Sequence, residues 1–76
     1  MRRIKLIWDF KGPDALETAK HHCIHLQEFA AVEKLPFEEV NHSVLHDMHA
    51  IAFVVVNEAY MKTYRDALKP HRGALA

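Results

Sequence analysis

The sequence predicts an α+β fold of order β-α-β-β-α, and three observations predict it. Residues 3–10 alternate along the chain, residues 14–34 repeat at helical spacing, and residues 50–56 are apolar without a break. Seventy-six residues bound a single domain, 1–76, whose one core is marginal on its own. Small domains of this kind add disulfides, a metal or self-association. Cys23 is the one cysteine, so no disulfide forms within the chain. A lone thiol suits a reducing compartment and a buried position, and we expect a cytoplasmic protein.

In the first element, Ile4, Leu6, Trp8 and Phe10 share one face, with Arg3, Lys5, Ile7 and Asp9 on the other. That two-residue period is the mark of a half-buried strand. Lys11-Gly12-Pro13-Asp14 breaks it. Pro13 fits a first helical turn, and Asp14 with Glu17 reads as a capping box or a dipole-matched first turn. Ala15, Leu16, Ala19, Cys23, Leu26, Phe29 and Ala30 then form one helical stripe. His22 falls on its edge, while His21 and His25 fall on the wet side with Glu28. Leu35-Pro36 ends the helix, because a residue before proline avoids the helical region.

Residues 37–46 and 49–56 read as two strands joined at Asp47-Met48 by a two-residue hairpin loop or, since the expected Gly is lacking, by a longer or bulged turn. The second strand is apolar on both faces, as a central strand is. Asn57 is a good N-cap for a helix through about Leu68, which buries Tyr60, Met61, Tyr64, Ala67 and Leu68. Trp8, Phe10, Tyr60 and Tyr64 are expected in the core. Pro70 stops the helix, and residues 71–76 read as a tail, leaving a last strand missing or vestigial.

This order matches most of the split βαβ, or ferredoxin-like, motif. A right-handed crossover gives an antiparallel sheet of order 2-3-1 with two helices on one face. The other face is left bare and apolar, and a bare face of that size meets a partner, so a homodimer packed through the sheets is expected. Over residues 3–68, with the opening strand IWDF and a long first helix, the chain resembles small members of the dimeric α/β-barrel superfamily. The resemblance implies the ferredoxin-like fold and a paired sheet. That superfamily hosts monooxygenases, dehalogenases and haem-handling proteins, so it does not fix a chemistry.

Lys+Arg and Asp+Glu balance at ten each, which leaves no electrostatic footprint for nucleic acid or an anionic membrane. The longest apolar run, 50–56, is too short to span a bilayer. Asp9 interrupts the opening apolar stretch, so MRRIKLIWDF is not expected to act as a signal peptide. Phe53 alone on the central strand does not make an RNA-stacking surface.

The chemistry lies in the seven histidines, six of them between positions 21 and 49. Imidazole titrates near neutral pH and is the commonest metal ligand. A two-residue loop at 47–48 sets His46 opposite His49, and strand parity adds His42 to the same face. His42, His46 and His49 are therefore the candidate ligands for a divalent ion, zinc or nickel, with the plain alternative of a solvated hairpin end. His21 and His25 are four residues apart on a helix, but H-H-C-I-H lacks the glutamate of a zinc protease motif. Cys23 faces the core and reads as a small hydrophobe, not a nucleophile. Lys62, Arg65, Lys69, His71 and Arg72 form a small basic patch for a phosphate or carboxylate, or a match to the helix dipole. Asp9, His22 and His49 are the candidate small-ligand residues, Asp9 as a carboxylate able to orient a histidine. The function expected is a small dimeric binding or accessory protein. The alternatives are a cofactor-independent enzyme with His22 or His49 as general base, and a structural interaction module.

Overall fold

The computed structural model describes residues 2–76. The elements run β1 (Arg3–Lys11), α1 (Ala15–Glu33), β2 (Glu39–His46), β3 (His49–Asn57), α2 (Glu58–Leu68) and β4 (Arg72–Leu75). The four strands form one antiparallel sheet of order β2-β3-β1-β4. The α+β class and the 2-3-1 order are those expected. The last strand is a correction: it is short but formed, pairing Ile4 with Leu75 and Ile7 with Arg72. It covers the β1 edge, whose backbone groups would otherwise be left open to water or to another chain.

Strand alternation assigns the two faces. Leu6 and Trp8 of β1 join Val54 and Val56 of β3, Leu26 and Ala30 of α1, and Tyr64 of α2 in one buried cluster. Both helices thus pack on the same face. Ala15, Ala19 and Cys23 lie over Ala50 and Ala52, where small residues on both sides let the helix come close to the sheet. Trp8 is held by a bond from its Nε1 to the Leu68 carbonyl, 2.9 Å. Tyr64 donates its hydroxyl to the Pro36 carbonyl, 3.4 Å. Burying a side chain the size of Leu26 stabilises by about 1.5–3 kcal/mol, so this face dominates the fold.

The second face is not bare. Ile7, Ile51, Phe53 and Val55 form a separate cluster, each only 6–8% exposed in the single chain. By register they are framed by Lys5, Asp9, Asn41, Ser43 and Glu39. The Lys5 Nζ stands 4.1 Å above the Phe53 ring, and Arg3 reaches Glu38 at 3.4 Å. Long polar side chains shield apolar neighbours in this way while their charged ends stay wet. The premise of the sheet-packed dimer, an uncovered apolar face, is not met.

The helix ends follow the sequence in part. Asn57 caps α2, accepting from the Ala59 N–H at 2.9 Å. Asp14 occupies the N-cap of α1 but makes no side-chain capping bond, and Pro13 lies outside the helix, so the capping box does not form. The Asp14 carbonyl instead accepts from both the backbone N–H and the hydroxyl of Thr18. Lys34 closes α1 in the left-handed region, and Leu35 bonds back to the Ala30 carbonyl. On α2, Tyr64 is buried as expected, whereas Tyr60 and Ala67 are exposed.

Candidate functional site

Asp9 is the centre of the polar constellation. It lies on β1, paired with Ile51, on the sheet face away from the helices. His49 begins β3 on the same face. Its Nε2 lies 2.8 Å from Asp9 Oδ1, and both side chains are about one-fifth exposed. Arg72 of β4 grips the carboxylate with two bonds of 3.0 Å, from Nε to Oδ2 and from Nη2 to Oδ1. The forked guanidinium matches a carboxylate in this way. His71 completes the clasp, accepting the Asp9 backbone N–H on Nδ1 at 2.8 Å. The Arg72 bonds outweigh the cost of burial, and with His49 they pull the Asp9 carboxyl down to a pKa of about 2.

That charge fixes a tautomer. An ionised carboxylate only accepts, so His49 carries a proton on Nε2, and in the neutral ring the lone pair is on Nδ1. His46 sits across the hairpin, paired with His49. The two ring centroids are 5.6 Å apart with planes at 73°. Two imidazoles sharing one tetrahedral zinc ion at about 2.0–2.1 Å per bond place their centroids about 5 Å apart. The His46 Nδ1 accepts a long bond from the Met48 N–H, 3.3 Å. Gly12 steadies the tip: its N–H donates to the Met48 carbonyl at 2.8 Å, at a φ of 109° that suits glycine.

His42 does not join them. Val44 pairs with Ala50, but His46 pairs with His49, so Leu45 is an extra residue and the register slips. Above this bulge His42 pairs with Ala52 and faces the helix side, opposite to His49. A bulge of one residue reverses the face of everything beyond it. The three-histidine set is thus corrected to a pair. No group of three His, Cys, Asp or Glu side chains is placed to hold an ion among the described residues.

His22 is also separated from Asp9 and His49. It lies on the helix side, with its ring 4.7 Å from that of Trp8 and 5.5 Å from that of Phe10. Its Nε2 is buried without a hydrogen-bond partner. Burial first, then the neighbouring His25 and His71, hold its pKa below the ordinary value. The three candidate small-ligand residues are therefore two on one face and one on the other. Cys23 is buried, and burial pushes its thiol pKa up, against nucleophilic use. His25 lies 3.4 Å from Glu28 on the exposed side of α1.

Arg72 and His71 are the site residues the sequence reading missed in this role. The signal available was topological: in a 2-3-1 sheet β1 has a free edge, and the tail is the one segment left to cover it. An open depression of about 460 Å³ lies on the Asp9 face, between the Arg3–Glu38 pair, Lys5, Phe53, Val55 and Leu75. No histidine lines it. No helix is long and apolar enough to cross a membrane among the described residues. Comparison with family models, curated proteins and solved structures finds no match to this chain.

Proposed function

We propose that the chain is a small binding protein of ferredoxin-like topology whose ligand is a divalent ion, zinc or nickel, taken by His46 and His49. The observation that carries this reading is the Asp9–His49 bond of 2.8 Å beside the His46 ring. Metal-binding histidines usually donate their second N–H to a carboxylate, which fixes the tautomer and raises ligand basicity. Asp9 plays that part for His49, and Arg72 holds Asp9 in place.

The same carboxylate–imidazole pair also suits a general base. Ion binding is favoured because His49 stands on a sheet face, apart from the open depression. An enzyme site is usually a largely enclosed pocket with convergent polar groups.

Thermal unfolding with and without zinc or nickel tests the reading. An ion at 100 times its Kd stabilises a fold by about 2.7 kcal/mol, a shift of roughly ten degrees or more for a domain of this size. His46→Ala and His49→Ala should abolish the shift, and His42→Ala should keep it. A midpoint unmoved by either ion overturns the proposal.

A further inference from the structure

We infer that the ion is shared between two copies of this chain, each giving His46 and His49, so that zinc joins the molecule into a dimer at its hairpin tips. The inference rests on the ion-binding reading above.

Each chain offers two imidazoles, and a tetrahedral structural zinc site has four protein ligands. A third ligand within the chain is not placed to help among the described residues. A two-fold axis through the ion supplies the missing pair, because an isologous contact repeats each residue on the other side. The surroundings fit a covered position. Leu45, the bulge residue, and Met48, in the turn, flank the histidines and are 49% and 48% exposed. A solvated two-residue hairpin end ordinarily carries polar turn residues. Here two large apolar side chains stand beside the histidine pair, and a second copy brings the same two against them. The geometry also separates this contact from the polar-framed sheet face, where Lys5, Arg3 and Glu38 stay wet. The tip carries one charge of each sign with the histidines neutral, Asp47 in the turn and Lys11 paired with His49, so no cluster of like charge repels its twin.

Light scattering and sedimentation of the full chain, from EDTA to two equivalents of zinc, test the inference. The expected result is the mass of one 8.8 kDa chain in EDTA and twice that mass in zinc, reversed by chelator. Calorimetry should give one ion for two chains. Cobalt(II) in place of zinc should show the intense visible bands of a tetrahedral site. Leu45→Glu with Met48→Glu keeps all four nitrogens but sets acidic side chains across the axis, and should weaken zinc-driven pairing at least tenfold. One ion bound per chain at monomer mass overturns the shared site and leaves the ion-binding reading standing. No binding at all overturns both. A dimer indifferent to zinc and chelator overturns the inference as well.

Discussion

At the scale of single residues, Asp9 and His22 both tie stability to pH, Asp9 through its ion pairs and His22 through burial. Asp9 is held ionised by Arg72 and His49, with its pKa down at about 2 from 3.8. A carboxylate depressed in the fold adds stability that is complete above its unfolded pKa and is lost as pH falls through the folded one. The thermal midpoint should therefore fall between about pH 4 and pH 2, and Asp9→Asn should flatten that limb. His22 has no partner for its buried Nε2. The unfolded chain takes up a proton there more readily than the fold does, so its contribution declines as pH drops below 6.5. Replacing His22 by Phe keeps the ring against Trp8 and Phe10 and removes the orphan nitrogen. Denaturant unfolding at pH 7 should show a gain of about 1 kcal/mol, since an unsatisfied buried polar group costs about 1–3 kcal/mol. A loss of stability would show that Nε2 has a partner after all.

At the scale of elements, the site is a product of turns and edges. The β1 strand, both helices and the β2–β3 hairpin are legible in residues 3–68, because hydrophobic period and Gly/Pro punctuation agree there. The pairing of His46 with His49 follows from the loop length alone. The place of the bulge at Leu45 does not: the missing Gly at 47–48 leaves a bulged turn open, but nothing in Val44-Leu45-His46 says which residue is extra, and it is the bulge that sends His42 to the other face. The β4 strand is hidden for a different reason. Arg72-Gly73-Ala74-Leu75 has little strand propensity, and its place comes from the β1 edge and from the Arg72–Asp9 pair. Gly12 belongs to the same scale. Its φ of 109° is one that side-chain-bearing residues avoid, although nothing lies within 4 Å of where a Cβ would stand. Gly12→Ala should cost about 1–2 kcal/mol by backbone strain alone. It should also loosen the hairpin tip, read as faster amide exchange at Met48.

At the scale of the whole molecule, the sheet separates two environments. One face packs against both helices, and the other closes a small apolar cluster under charged side chains. If Ile51 is shielded by its own chain, Ile51→Ala should lower stability by about 2 kcal/mol at concentrations where the protein is monomeric. A cost that appears only where chains associate would restore the sheet-packed dimer. Four of the seven histidines divide between the same two environments. His22 and His42 lie on the helix side, and His46 and His49 lie opposite, where, on the proposed reading, Asp9 and Arg72 prepare one imidazole for an ion. Nitrogen-15 NMR of the imidazole rings during a zinc titration addresses that preparation directly. Before zinc, His49 should show a protonated Nε2 and a bare Nδ1. On addition, His49 Nδ1 and a nitrogen of His46 should shift together with the Met48 amide, while His22 and His42 stay still. A proton found on His49 Nδ1, or zinc shifts spread evenly over all seven histidines, would contradict the account.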